Sequence, residues 1–292
     1  MTQRPESLKS RPLSPDQAQI WAVEHLDQLQ MLRATIVRYA FKRHTHDYYV
    51  IGLVEQGVQR FCLERNTLYT PPAGLIVIHP GEPHTGEAAT DGGFHYRALY
   101  PSVEMMTDIA SEVLDRPVGM PYFGHSVIHD QALFDAFHHL HAACERAAYE
   151  RAPLSILEQE TRYRWTLAQL ILRHAIRTSE PRRLHRASGD VRRVKDYLET
   201  CYADPIRLDD LAGLVYRSKY HLLRLFRDQV GVPPHVYLEN VRIRHAQRLL
   251  RQRASIAEVA LLTGFSSQSH LTTTFKHVIG VTPKQYAEMA IF

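Results

Sequence analysis

The spacing of apolar residues changes character along this chain. Between residues 33 and 100 they fall in short runs: Thr35-Ile36-Val37, Tyr48-Tyr49-Val50-Ile51, residues 58–63 and residues 75–78. Phe94, Tyr96, Ala98 and Tyr100 then alternate with more polar neighbours. Gly and Pro clusters separate the runs, and Glu55-Gln56-Gly57 has the composition of a hairpin turn. Short β-rich runs with this punctuation predict a small barrel or jelly roll. Pro121-Tyr122-Phe123 to Ile128 can return one more strand to it. After residue 102 the period becomes helical. A short mixed helix is predicted over 103–114. Leu133, Phe137, Leu140 and Cys144 line one longer helix, and Ile156, Tyr163, Leu167, Leu170 and His174 line the next.

The last hundred residues are helical throughout and contain a repeat. Phe226-Arg227-x-x-Val230-Gly231-Val232-x-Pro234-x-x-Tyr237 recurs 49 residues later as Phe275-Lys276-x-x-Ile279-Gly280-Val281-x-Pro283-x-x-Tyr286. Ser218 and Ser267 each precede an amphipathic run and are placed to cap it. Leu222, Leu225, Phe226 and Val230 keep helical spacing in the first run; Leu271, Phe275 and Ile279 do so in the second. Gly231 and Gly280 stand where each helix must end in a left-handed residue. A shorter helix precedes each run, over 208–214 and 256–262, and Ser255-x-x-Glu258 forms a capping box for the second. Thr282-Pro283-x-Gln285 opens a last helix. Short helix, tight turn, capped helix is a helix-turn-helix, here present twice. Between the copies, residues 234–252 predict one helix of about 28 Å. That length suits two reading helices held near the ~34 Å spacing of successive major grooves.

Charge agrees with this division. The formal net charge is +4, but residues 190–292 carry 15 Lys and Arg against 10 Asp and Glu, while the rest carries 20 against 21. The basic excess therefore belongs to the repeat region, as a phosphate footprint requires. A solvated basic surface would account for charge alone equally well; the double motif decides.

Residues 190–292 resemble the DNA-binding domain of the AraC/XylS family of bacterial transcription regulators. The resemblance is carried by Leu211-Ala212, Ser218, Arg224-x-Phe226, Gly231, Tyr237, Arg242-x-x-x-Ala246-x-x-Leu249-Leu250, Ile256-Ala257-Glu258-Val259-Ala260, Gly264-Phe265, Ser267, Phe275-Lys276, Gly280, Thr282-Pro283 and Tyr286. It implies double-stranded DNA as the partner, and RNA polymerase as a second partner if the protein activates transcription. Ser218, Lys219, Tyr220, Leu223 and Arg224 form the expected base-facing side of the first reading helix. Arg224 can pair with guanine through two hydrogen bonds, and Tyr220 and Leu223 can meet a thymine methyl. Ser267, Gln268, Ser269, His270 and Thr273 are the matching side of the second, where Gln268 can read adenine. Arg227 and Lys276 are expected on phosphate. Leu271 stands where the family usually has Phe, and Thr273 where it often has Arg. The second departure implies weaker base reading by the C-terminal module.

Residues 30 to 180 resemble the cupin-like ligand-binding domain of the same family, on His44-x-His46, Gly57, Pro72-x-Gly74 and Pro80-Gly81-Glu82-Pro83-His84. The expected fold is thus an all-β cupin-like jelly-roll barrel followed by α-helices, then an all-α tandem helix-turn-helix domain. The resemblance places a small-molecule effector near His44, His46 and His84, with Tyr48 and Tyr96 as further candidates. Strand alternation puts Tyr96 and Arg97 on opposite faces. Neutral imidazoles offer one donor and one acceptor to an organic ligand. They can equally satisfy backbone groups at the barrel rim, or hold zinc with water in a fourth place. Metal-binding cupins usually carry a Glu four or five residues after the second His; Val50 and Ile51 occupy those places and Glu55 lies further on, towards the hairpin. No metal ligand set and no required cofactor are therefore expected, and a metal-sensing regulator stays as the alternative.

The remaining segments complete the expected organisation: a flexible N-terminal arm over 1–29, an effector and dimerisation domain over 30–177, a linker over 178–189, and the DNA-binding domain over 190–292. The two helices lined by Leu133 to His174 either cover the barrel or pair two subunits; in the family such helices often form the dimer contact, and a homodimer is expected. Cys62, Cys144 and Cys201 have neither disulfide nor metal spacing, and the first residues lack a signal-peptide core, so a cytoplasmic protein is expected, with no membrane span. There is no G-x-S-x-G, phosphate loop or H-E-x-x-H, so no enzyme is expected, a cupin metalloenzyme fused to a DNA-binding module being the remote alternative. His138-His139-x-His141 cannot converge from one helix and is read as a polar face.

Overall fold

The computed structural model describes residues 16–64, 66–149, 155–176 and 188–291. Nine strands come first: β1 (Gln17–Val23), β2 (Leu29–Ile36), β3 (Phe41–His44), β4 (Val50–Gly57), β5 (Gln59–Leu63), β6 (Asn66–Thr70), β7 (Leu75–Ile78), β8 (His84–Ala88) and β9 (Phe94–Tyr100). Helix α1 (Val103–Val113), strand β10 (Val127–Ile128) and helices α2 (Gln131–Tyr149) and α3 (Ile156–His174) complete the first domain. The second contains α4 (Gly189–Thr200), α5 (Leu208–Leu214), α6 (Lys219–Val230), α7 (Pro234–Arg251), α8 (Ile256–Leu262), α9 (Gln268–Ile279), α10 (Pro283–Ala287) and a short strand β11 (Ala290–Ile291).

The strands form two sheets. One has the order β10-β7-β4-β9-β2-β1-β11, the other β3-β8-β5-β6. The large sheet is buried on both faces, and its side chains sort by the period of two that strands impose. Ile20, Ala22, Leu32, Ala34, Val50, Ile76, Ile78, Tyr96 and Ala98 face the space between the sheets. Trp21, Val23, Met31, Tyr49, Ile51, Leu53, Leu75, Val77 and Leu99 face the other way, against α1, α2 and α3. Arg97, next to Tyr96, also turns outwards and is buried beneath α2.

Several expectations change here. The arm expected over 1–29 is not loose where it is described: Gln17–Val23 pairs with β2 along its whole length, and Trp21 is fully buried. Residues 1–15 lie outside the described residues, as does most of the expected linker; at its end, Ser188 already caps α4 and Gly189 begins it. The apolar stripes of α2 and α3 cover the sheet within one chain, since Leu133, Phe137, Leu140, Cys144, Tyr163, Leu167 and Leu170 are all buried. Ile156 is exposed and His174 half-buried, its Nε2 donating to Asp130 (2.8 Å).

The polar reading of the histidine run fails at His141, which is fully buried. Its Nε2 donates to the Leu32 carbonyl (3.0 Å) and its Nδ1 accepts from Arg97 (2.9 Å). Arg97 also pairs with Glu55 and Glu145, and Arg33 pairs with Glu145 at 2.9 Å. Glu55 therefore lies on β4 at the α2 side, where His138 also donates to it (2.8 Å). Burial alone would raise the Glu55 carboxyl; the hydrogen bond from His138 and the charge of Arg97 hold it at about 2.

The helical domain matches its sequence pattern closely. Ser218 accepts from the His221 amide and Ser267 from the His270 amide, so each reading helix starts at the expected cap. Gly231 (φ 80°) and Gly280 (φ 87°) end α6 and α9 in the left-handed region. Phe226 and Phe275 are both fully buried, each in the core of its own module.

Candidate ligand cavity and nucleic-acid interface

The base-facing side chains of the two reading helices are presented outwards. Tyr220 is 77% exposed; Lys219, Arg224 and Arg227 are exposed too, and Leu223 is half-buried at their edge. Lys219 forms an ion pair with Asp209 at the start of α5 (2.6 Å), while Arg224 lies 3.8 Å from Asp228 one turn along. On α9, Gln268, Ser269 and Thr273 are exposed; His270 is partly covered, its Nδ1 within 3.0 Å of the Ser266 hydroxyl. Tyr216, 90% exposed and in a left-handed turn (φ 52°) just before α6, joins this surface. Its place in the turn of the motif was the signal that sequence reasoning passed over.

Lys276, expected on phosphate, is exposed and also touches the β domain. Its backbone carbonyl accepts a hydrogen bond from the Tyr39 phenol of the β domain. Its ammonium lies 5.7 Å from the centre of the Tyr39 ring, a cation–π distance, and Tyr39 also stacks on His277. The two domains thus meet at the second reading helix.

That contact is one part of a longer seam. Gln30 Nε2 donates to the Tyr286 hydroxyl (2.8 Å), Asn240 donates to Thr45 (3.0 Å), Arg244 pairs with Asp47 (3.2 Å) and Arg251 donates to Gln28 (3.2 Å). β11 adds itself in parallel to β1, with Ala290 beside Trp21. Gly280 lies against Phe41 so closely that a Cβ there would stand 3.0 Å from the ring. The apolar interior of the barrel and the core of the second module are one continuous cluster, running from Ile36 and Phe94 to Phe275 and Tyr286.

Within this cluster lies a cleft whose empty space, open mouth included, is about 590 Å³. His44, His46, Tyr48, His84 and Tyr96, the five candidates from the sequence, all line it. Gln30, Gln59 and Tyr100 add further polar groups, and Val278 and Ile279 from α9 close one side. Gly52 is needed beneath Tyr96, because a Cβ there would come within 2.6 Å of the phenol ring. None of the lining residues is Asp, Glu, Lys or Arg.

The histidines are placed by strand ends. His44 ends β3 and His84 begins β8, and the two are registered opposite each other across the small sheet. His44 Nδ1 lies 2.6 Å from the Lys42 carbonyl, and His84 Nδ1 lies 2.9 Å from the Glu82 carbonyl. A carbonyl only accepts, so both Nδ1 atoms carry hydrogen and both Nε2 atoms are left as acceptors. His46 stacks on Tyr48, with ring centres 4.7 Å apart. Burial pushes the imidazolium pKa of His44 down to about 4; burial and then the neighbouring His44 put His84 at about 3, and burial followed by His44 and His84 holds His46 well below its ordinary value. All three are neutral at neutral pH.

A two-sheet β domain with an internal cavity, joined to a tandem helix-turn-helix, defines a DNA-binding transcription regulator with a ligand-binding domain. The chain belongs to the AraC/XylS family. The AraC-like ligand binding domain matches residues 30–166, and a helix-turn-helix domain matches residues 211–289. The HTH-type transcriptional regulator YbfI of Bacillus subtilis (strain 168) is 33% identical over 234 residues, covering 79% of this chain and 81% of that one. The probable transcriptional regulator LumQ of Photobacterium leiognathi is 23% identical over 244 residues, 83% of this chain and 90% of that one. Among solved structures, ToxT from Vibrio cholerae O395 shares the two-domain fold, with a TM-score of 0.51 at 12% identity, over 94% of this chain and 97% of that chain. Among the described residues no helix is long and apolar enough to cross a membrane.

Proposed function

We propose that the protein is a ligand-responsive, sequence-specific regulator whose two reading helices enter adjacent major grooves. A small-molecule effector in the barrel cavity acts on the second of them. The observation that carries this reading is the shared wall: Val278 and Ile279, in the last turn of α9, line the same cavity as His44, His46, His84 and Tyr96. A ligand that fills the cavity contacts the reading helix directly, so it can favour one domain arrangement by its differential contacts. Lys276 supports the same view, because in this arrangement its carbonyl and ammonium are engaged with Tyr39. Polymerase contact would follow if bound operator activates transcription.

The reading is tested by thermal stability against an effector library. A true ligand at ~100 times its dissociation constant adds about 2.7 kcal/mol. His44→Ala or His84→Ala should abolish that gain without unfolding the barrel; an unchanged response in the double variant would place the pocket elsewhere.

A homodimer belongs to the same proposal, with its face relocated. Leu157 (73% exposed), Trp165 (65%) and Leu172 follow one another along the outer side of α3, opposite its buried stripe, and Ile176 just beyond the helix is exposed as well. An apolar row of this kind on the family's dimerisation helix supports pairing through that side.

A further inference from the structure

Taking the cavity as the effector site, we propose that His44, His46 and His84 hold a divalent transition-metal ion, one ring nitrogen each, with an open coordination place facing the cavity. The proposal rests on that reading of the cavity and names the class of ligand.

The geometry comes first. One ligand atom from each of the three rings lies within 4.8 Å of the other two. The ring centres are 4.5, 4.6 and 5.1 Å apart. Three imidazoles around a tetrahedral ion with bonds of ~2.0–2.1 Å have ring centres about 5 Å apart and ligand nitrogens about 3.3 Å apart, so binding would draw the nitrogens together by up to about 1.5 Å.

Hydrogen bonding supplies a second, independent argument. The Lys42 and Glu82 carbonyls fix His44 and His84 as Nδ1–H tautomers. Metal-bound histidines are oriented in the same way, each donating its other N–H to a carbonyl or carboxylate. The two Nε2 atoms are then left as acceptors in a buried place, with a third imidazole beside them. Buried acceptors so close together need a cation or a donor. The three proposed ligands supply nitrogen only, and the cavity lining has no Asp, Glu or Cys to add a charged donor. Neutral imidazoles suit zinc, copper, nickel or cobalt, and give calcium or magnesium none of the oxygen ligands they require. Gln59 Oε1 lines the same cavity, is buried and has no hydrogen-bond partner among the described residues. It can accept from a water or hydroxyl bound in the open place. Val50 and Ile51 stand where a carboxylate ligand was sought in the sequence; the three histidines weighed there as a zinc set are brought side by side by β3, β8 and the segment after β3.

The test uses the full-length, tag-free protein stripped with chelator. Co²⁺ is titrated by visible absorption and calorimetry, then displaced with Zn²⁺. One ion per chain is expected, with the intense visible bands of a low-coordinate Co²⁺ site, and Mg²⁺ should not compete. His44→Ala and His84→Ala should each weaken binding by at least about 100-fold. His46→Gln, which keeps the side chain's bulk, serves if an alanine variant fails to fold; it should lose the tetrahedral spectrum. No stoichiometric ion in the parent protein, or undiminished binding in these variants, overturns the proposal. Binding without any change in operator affinity supports the site but counts against the effector reading. An operator response to an organic compound in protein that binds no metal does the reverse.

Discussion

The Tyr39 phenol donates its hydrogen bond to the backbone carbonyl of Lys276, so a β-domain side chain holds the last turn of the second reading helix. The donor lies just before β3 and the acceptor in α9, a helix whose exposed side carries Gln268, Ser269 and Thr273. If DNA and Tyr39 compete for this segment, removing the phenol should favour DNA. Tyr39→Phe keeps the ring but loses the hydrogen bond, worth about 1 kcal/mol net. Operator affinity without effector should rise about fivefold, measured by fluorescence anisotropy at fixed salt. An unchanged or weaker affinity would show that the contact does not oppose binding.

The two modules should read unequally. Arg224 is exposed on α6, whereas the corresponding place on α9 holds Thr273. Arg224→Ala should cost roughly 1–3 kcal/mol and relax preference at one base pair. Thr273→Ala should cost clearly less. Binding to a library of operator variants decides this, and equal losses would reject the asymmetry.

The two faces of α3 should respond differently to substitution. Leu157→Glu with Trp165→Glu, on the exposed side, should give a folded monomer that binds a two-site operator more weakly. Leu167→Ala, in the core, should instead destabilise the β domain by about 2–5 kcal/mol. Sedimentation of the parent protein as a monomer would remove the dimer.

Acid should act through Glu55. Its folded-state pKa lies at about 2, below its ordinary value of 4.5, so the stabilisation is complete above pH 4.5 and is lost as the pH falls towards 2. Roughly 3 kcal/mol is involved. Glu55→Gln should lower stability at pH 7 and flatten the acid limb of a denaturation series. An acid limb identical to that of the parent protein would place the effect on other carboxylates.

The sequence shows some of this more clearly than the rest. The caps at Ser218 and Ser267, the stops at Gly231 and Gly280 and the fully buried Phe226 and Phe275 follow from local rules that act within a few residues. His44, His46 and His84 were legible as one group because strand ends place them at the same rim. β1 was not: with Trp21 and Val23 buried on one face and Ile20 and Ala22 on the other, no polar alternation marks it, and polar residues precede it. His141 was misread because a polar residue on a helix looks solvated until the buried Arg97 beneath it is known. Val278 and Ile279 pass for core of their own module; only the closure of the domains turns them towards the cavity.

The most direct test of a cavity that governs the second reading helix is the operator affinity of the full-length protein at saturating effector and in its absence. A coupling of about 1–3 kcal/mol predicts a change of roughly 5- to 150-fold in the parent protein. The His44→Ala/His84→Ala double variant should bind the operator with one affinity under both conditions. Equal affinities in the parent protein, with the effector shown to occupy the cavity, would contradict the account.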